Sequence, residues 1–300
     1  MLFNLLKAIE PSFRLKAETL VCHDHSDALS DMYQPIPIHE LKLTASMRFK
    51  INRARKNPVV VEQPRFDKKL MVIVPYRHRE QHLAKFPAAL KKFLDKENIQ
   101  HDILIVEQAD DKPFNKGKLL NAGAKWAWDK ADYFCFHDID MIPDISSYAY
   151  VNHPTLLSNS ATQFDAHVQH STYFGGVILF DKNDYLKING FSNQYWHWGC
   201  EDDDLFWRCL NGGLTPIAYN NGRYTSLPHQ KTITQTTDGT YQKDPALLGR
   251  LKGLYEKNVK RYKKTRRGLI DTEQDGLNSV SYELLEVVEE SLYTKIRVVL

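Results

Sequence analysis

Asp138-Ile139-Asp140 sets two carboxylates two residues apart, directly after the apolar run Tyr133-Phe134-Cys135-Phe136. Within a strand the two side chains would share a face. Just past a strand end they can converge on one cation. Hard carboxylate oxygens suit Mn²⁺ or Mg²⁺, and such an ion would bridge a diphosphate. Many Asp-x-Asp pairs are solvated turns, so the position after a buried run is what gives this one weight. Further on, Trp196-His197-Trp198-Gly199-Cys200 runs into Glu201-Asp202-Asp203-Asp204. Consecutive acids suit a helix N-terminus, where the dipole favours negative charge. That reading covers part of the run and leaves the tryptophans unexplained. Aromatic faces beside carboxylates can hold a sugar ring, the apolar CH face stacking while the hydroxyls bond to the acids. A carboxylate there can also take a proton from a hydroxyl as general base.

Basic groups follow the first apolar run and open a later helical stretch. Arg77 and Arg79 follow Pro75, and Lys116 and Lys118 open a helical stretch. Such groups bind phosphate, aided by the free N–H groups of a helix N-terminus. Any one of them taken singly reads as ordinary surface charge. His229 follows Pro228 and is a lone histidine, by itself more a structural hydrogen-bonder than a ligand. The cluster His23, Asp24, His25 and Asp27 reads as a solvated loop rather than a metal site.

The elements that position these residues are legible in outline. Leu70-Met71-Val72-Ile73-Val74 is a continuous apolar run, expected to be a strand buried on both faces and stopped by Pro75. A helix with Leu83, Phe86, Leu90 and Phe93 on one side follows; Pro87 kinks it or delays its start. Ile103 to Val106 is a second strand, Asn115 to Trp128 a second helix, and Tyr133 to Phe136 a third strand. This alternation implies an α/β fold with a parallel sheet and right-handed crossovers. Ligands bind beyond the carboxyl ends of such strands, where Arg77, Glu107 and Asp138 fall. Tyr173 to Phe180 reads as a strand entered through Gly175-Gly176, and Leu205 to Asn211 as a short helix ended by Gly212-Gly213. Residues 246–264 form an amphipathic helix with Leu248, Leu251, Tyr255, Val259 and Tyr262 on its apolar face. Leu292 to Leu300 alternates like a half-buried strand. Residues 1–68 lack clear periodicity and read as an N-terminal extension packed on a main domain at 69–300.

Composition bounds the function. The chain has 300 residues, 42% of them hydrophobic, and a formal net charge of +3. That supports a large core and gives no global drive toward nucleic acid, whose binders interleave basic and exposed aromatic residues. Cys22, Cys135, Cys200 and Cys209 form no CxxC pair, so reduced thiols in a cytoplasm are expected. The apolar start at Met1 is too short for a secretory segment, and no run reaches the roughly 18 apolar residues of a membrane helix. The basic face of 246–264 reads as solvated. Contact with the inner face of an anionic membrane carrying a lipid-linked acceptor is the alternative.

Read together, the segments resemble the beta-1,4-galactosyltransferase family from about Leu70 to Leu300. The resemblance rests on Val74-Pro75-Tyr76-Arg77-His78-Arg79, on Phe114-Asn115-Lys116-Gly117-Lys118-Leu119-Leu120-Asn121 and on Asp138-Ile139-Asp140. It rests equally on Tyr173-Phe174-Gly175-Gly176-Val177, the 196–204 block and Asp275-Gly276-Leu277-Asn278-Ser279. It implies a GT-A type nucleotide-sugar-binding domain, with a mixed, mainly parallel sheet flanked by helices, and an inverting displacement on a UDP-sugar. The resemblance assigns Pro75, Arg77, Arg79, Phe114 and Lys116 to the nucleotide and Asp138 to the donor. It makes Asp140 and His229 ligands of Mn²⁺, with Mg²⁺ as the alternative, and Asp202 the catalytic base. Glu201, Asp203, Trp198, Tyr173 and Gly176 would bind the sugars, Trp198 from a mobile loop.

Some positions depart from the family pattern. Lys116 stands where Arg is usual, which keeps the charge and loses bidentate geometry. Ser226 and Leu227 stand where the family adds a further metal ligand, a Met or a His. His170 replaces a Tyr, and His197 and Cys200 replace glycines. Tyr173 is bulky, which in the family goes with galactose rather than N-acetylgalactosamine. Animal members carry a membrane helix and disulfides; the resemblance here is to a cytoplasmic, bacterial or viral type of member building a surface glycan. UDP-GalNAc or UDP-glucose as donor, or a carbohydrate-binding protein with little turnover, are the other readings.

Overall fold

The computed structural model describes residues 32–35, 61–162, 173–228 and 245–300. Its centre is a nine-stranded sheet. β1 (Tyr33–Pro35), β2 (Leu70–Tyr76), the short α1 (Glu80–Leu83), α2 (Phe86–Lys96), β3 (His101–Gln108), α3 (Lys116–Ala127) and β4 (Tyr133–His137) come first. β5 (Met141–Ile145), β6 (Thr155–Leu156), β7 (Ser160–Ala161), β8 (Val177–Asp181), α4 (Lys182–Lys187) and α5 (Glu201–Asn211) follow. β9 (Ile217–Tyr219), β10 (Arg223–Ser226), α6 (Pro245–Arg267), β11 (Glu283–Glu289) and β12 (Thr294–Val299) complete the order. The strands lie as β1-β9-β6-β8-β4-β2-β3-β12-β11, and β5, β10 and β7 form a smaller sheet.

The sheet is mixed with a parallel heart. β2 runs parallel to β3 and β4, and β12 parallel to β3. β8 is antiparallel to β4 and β6, and β11 to β12. The continuous apolar run of β2 is explained by its two covered faces. Met71 and Ile73 pack with Leu119, Leu120 and Ala124 of α3, while Leu70, Val72 and Val74 pack with Phe86, Leu90 and Leu94 of α2. Alternate residues of one strand thus feed opposite layers.

Several boundaries differ from those expected. The first strand runs through Pro75 to Tyr76. The β4 ladder on that side ends at Ile73, so Pro75 sits where no donor is required of that edge. Pro87 stands in the first turn of α2, so the helix breaks and restarts there. β8 begins at Val177 rather than Tyr173, because Gly176 at φ 74 interrupts the extended chain. α5 begins at Glu201, so the whole acidic run is its first turn. β11 was not anticipated; most of its residues are exposed, which hides the alternation that marks a strand. β1, inside the segment read as an extension, pairs with β9 at one edge of the sheet.

α6 is present, and its seated face joins part of the apolar stripe read from the sequence, Tyr262 against the core, to polar residues that the stripe did not include. Asn258 and Thr265 are buried, while Tyr255 is exposed. The helix is held by polar bonds: Arg261 to Ser192 and Asp275, and Asn211 Nδ2 to Thr265 O at 3.1 Å. Asp275 is the hub. Its carboxylate accepts from Ser192 Oγ, Asn193 N, Arg208 and Arg261, and Arg208 also pairs with Asp204 of α5 at 2.7 Å. Arg208 is fully buried, and such a charge is tolerable only when paired and hydrogen-bonded. Among the described residues no helix is long and apolar enough to cross a membrane, and Cys135, Cys200 and Cys209 are free thiols.

Candidate active site

Three segments deliver charged side chains to one place. The first is the turn from β3 into α3. Asn115 caps the helix, its Oδ1 accepting from Lys118 N at 2.9 Å, its Nδ2 reaching Asn193 O and its own N–H reaching Gln108 Oε1. The fixed cap aims the next residue, Lys116, inward. Its ammonium lies 3.0 Å from Asp138 Oδ1 and 3.1 Å from Asp202 Oδ1.

The second segment is the end of β4. Asp138 N donates to Gly176 O at 2.8 Å, which ties the Asp138–Asp140 turn to the glycine pair before β8. Beneath it, His137 is buried between Asp138 O and Tyr148 OH. Burial lowers the imidazole to about 4, so it is neutral at pH 7. Nδ1–H then donates to Asp138 O and Nε2 accepts from Tyr148. Leu227 N donates to Asp140 O at 2.6 Å, bringing the segment that leads to His229 against the Asp pair.

The third segment is the first turn of α5. The Asp202 carboxylate lies on Gly175: a Cβ built there would meet Asp202 Oδ2 at 2.2 Å. Only glycine fits. Burial pushes the Asp202 carboxyl above the ordinary carboxylate range, Glu201 and Asp138 push the same way, and Lys116 restrains the rise. Burial also disfavours the Lys116 ammonium, but Asp138 and Asp202 outweigh it and hold Lys116 well above the usual lysine value. Glu201 Oε2 is buried without a hydrogen-bond partner, an acceptor waiting for a hydroxyl. Tyr173 is buried within electrostatic reach of Asp202, Lys116, Asp138 and Asp140, with its hydroxyl against Gly176. Lys116, Asp138, Asp140, Tyr173, Gly176, Glu201 and Asp202 therefore surround one locus.

Other expected site residues form its flanks. Pro75 lies near the end of β2 and Arg77 just beyond it; Arg77 donates to Lys112 O at 2.6 Å and lies over the Phe114 ring at 5.3 Å. Arg79 begins α1. Trp198 is 70% exposed and stands at the outer edge. Asp203 follows Asp202 in α5. His229 and His170 lie outside the described residues, as does the His23–Asp27 cluster. Among the described residues no group of three metal-ligating side chains gathers. At the position of Ser226, Oγ donates to Met141 Sδ at 3.4 Å. Asp138 and Asp140 offer the hard carboxylate oxygens that a divalent ion takes, at a strand end where acids outnumber the one ammonium of Lys116.

Gly175 as the bed of Asp202, Ser158 and the α6 contacts were not read from the sequence. Ser158 Oγ donates to Gly175 O at 2.9 Å and accepts from Val177 N at 3.0 Å, fixing that bed. The Gly175-Gly176 doublet was the one local signal.

Comparison with known proteins gives the family and the fold. A family profile described as "N-terminal region of glycosyl transferase group 7" matches residues 40–152, and one described as "N-terminal domain of galactosyltransferase" matches residues 155–230. Beta-1,4-galactosyltransferase 1 of Bos taurus is 32% identical over 303 residues, covering 98% of this chain and 70% of that protein. The chain belongs to the beta-1,4-galactosyltransferase family. The Mus musculus beta-1,4-galactosyltransferase 1 is 33% identical, the match covering 82% of this chain and 60% of that one. Among solved structures, the catalytic domain of Drosophila beta-1,4-galactosyltransferase 7 in complex with xylobiose superposes with a TM-score of 0.62 at 25% identity. The superposition covers 77% of this chain and 94% of that one. A mutant of the same fly enzyme, in complex with manganese, UDP-Gal and xylobiose, gives a TM-score of 0.61 at 24% identity, again over 77% of this chain and 94% of that one. The fold is the GT-A type of glycosyltransferases, its mainly parallel sheet flanked by helices.

Proposed function

We propose that this chain transfers galactose from UDP-galactose to a hydroxyl of a glycan acceptor ending in GlcNAc, glucose or xylose, forming a beta-1,4 linkage with inversion. The observation that carries the reading is the convergence of Asp202, Lys116 and Asp138 on one part-buried locus beside Glu201, whose Oε2 has no hydrogen-bond partner. It is supported by the family and by the ligands named for the fly enzyme.

The residues divide the work as follows. The diphosphate end of the donor lies by Arg77, Arg79 and Lys116, whose positive charge faces the oxygen on which charge develops. Phe114, backed by Arg77, packs on the nucleotide, and Pro75 lines the same end. Asp138 and Tyr173 orient the donor sugar against Gly176. Glu201 and Asp203 accept hydrogen bonds from sugar hydroxyls, and Trp198 stacks on the acceptor. Asp202 takes the acceptor hydroxyl proton as that oxygen attacks the anomeric carbon, and the bond to UDP breaks with its electron pair going to the β-phosphate oxygen. Mn²⁺, or Mg²⁺ in its place, held by Asp140 and His229, would supply further charge against the leaving diphosphate.

We infer a role in surface polysaccharide synthesis in a cytoplasm, with a lipid-linked acceptor at the inner membrane face. The lysines and arginines of α6 support that last step as a basic contact for anionic lipid. UDP-GalNAc and UDP-glucose are the competing donors; bulky Tyr173 favours galactose. The test is UDP release from a panel of UDP-sugars with Mn²⁺, Mg²⁺ or EDTA and with GlcNAc, glucose and xylose glycosides. Mn²⁺-dependent release from UDP-galactose, raised by one acceptor, is the expected outcome. Absence of release and of UDP binding would turn the reading toward a carbohydrate-binding protein.

A further inference from the structure

Residues of α6 that the proposed reaction does not use grip the loop 196–200. Tyr255, Asn258, Arg261 and Thr265 recur every three to four residues and so share one helix face. Tyr255 stacks on Trp198, with ring centroids 5.6 Å apart and planes 17° from parallel. Asn258 is buried and donates from Nδ2 to Trp196 O at 3.1 Å and toward Trp198 O at 3.5 Å. Arg261 anchors the same face on Asp275, which also binds Arg208 of α5.

The gripped loop needs support. His197 and Cys200 have φ of 63° and 73°, a left-handed conformation that costs a side-chain-bearing residue and persists only where the surroundings impose it. Gly199 has φ 112°, and a Cβ there would stand 3.0 Å from two ring carbons of Tyr255. On the other side, His197 N donates to Phe114 O at 2.7 Å. The loop is therefore strung between the nucleotide flank and α6, and it leads directly into Asp202. Tyr255 covers one face of the Trp198 indole. The other face stays open to solvent.

We propose that Tyr255 and Asn258 are positioning residues for the acceptor: they fix Trp198 so that its open face receives the apolar face of the acceptor sugar beside Asp202. The proposal rests on the transferase reading above. Its test uses the full chain with Tyr255→Ala, Tyr255→Phe and Asn258→Ala. The alanine variants raise the acceptor KM, about tenfold for Tyr255→Ala. The donor KM and acceptor-free hydrolysis of UDP-galactose stay as in the parent, and Tyr255→Phe restores the acceptor KM. The emission of Trp198, isolated as the difference between each protein and its Trp198→Phe derivative, becomes more quenchable by acrylamide in Tyr255→Ala. An unchanged acceptor KM, or donor and acceptor KM rising together, overturns the proposal. A parent chain without turnover overturns the transferase reading alone; the hold of Tyr255 on Trp198 is then decided by quenching, and unchanged quenching overturns it.

Discussion

Lys116 Nζ stands 3.1 Å from Asp202 Oδ1, so the residue proposed as base shares its counter-ion with Asp138 across the mouth of the parallel sheet. The ammonium orients the Asp202 carboxylate and favours its ionised form. Asp202→Asn keeps the shape and removes the proton acceptor. The expected result is a loss of roughly 10²–10⁴ in kcat with little change in donor KM. Steady-state UDP release decides it; turnover near that of the parent would move the base to another residue.

The same contact governs the response to acid. Burial, then Glu201 and Asp138, raise the Asp202 carboxyl, and Lys116 holds it back; Tyr173 faces the group as a neutral phenol. A base must be deprotonated to act, so activity falls as pH drops through its pKa, and that limb lies above the ordinary carboxylate range. Lys116→Met removes the restraint. The acid limb of kcat/KM then moves to higher pH, whereas Lys116→Arg keeps it near the parent position. A pH–rate profile of the three proteins measures this.

Gly175→Ala tests the bed of the base. Its Cβ would stand 2.2 Å from Asp202 Oδ2, so the carboxylate must move. Activity should fall by about 10²-fold, the cost of a displacement near 1 Å. A variant with full activity would mean that Asp202 is tolerant of place, against its assigned role.

Asp275→Ala tests the hub. It strips the fully buried Arg208 of one carboxylate and Arg261 of its partner. Breaking a buried pair from one side costs about 3–5 kcal/mol. Urea unfolding should give a loss in that range, and α5 and α6 should lose hydrogen-exchange protection first.

The sequence carried the parallel heart of the fold because β2, β3 and β4 are buried on both faces and read as unbroken apolar runs. It carried the Asp pair and the acidic turn because chemistry there is written in neighbouring residues. It did not carry the bed under Asp202 or the seat of α6. Those depend on contacts such as Arg208 with Asp275, 67 residues apart, between polar groups that leave no periodic trace. The stripe expected on α6 is seated in part, with Tyr262 against the core and Tyr255 on Trp198, and the buried Asn258 and Thr265 beside it carry no apolar signal. β6 and β7 have two residues each, too few for any alternation to register.

β12 lies beside β3, far from it in the chain: Thr294 is paired with Leu104 and Val298 with Gln108. A growing polypeptide therefore carries β3 with one side unmatched until the ribosome has made the segment 294–299. The Asp275 hub, which braces the helix bearing Asp202, arrives almost as late. The nascent protein thus passes most of its synthesis with an open strand edge and no assembled catalytic turn. Its exposure to misassembly is concentrated in that interval.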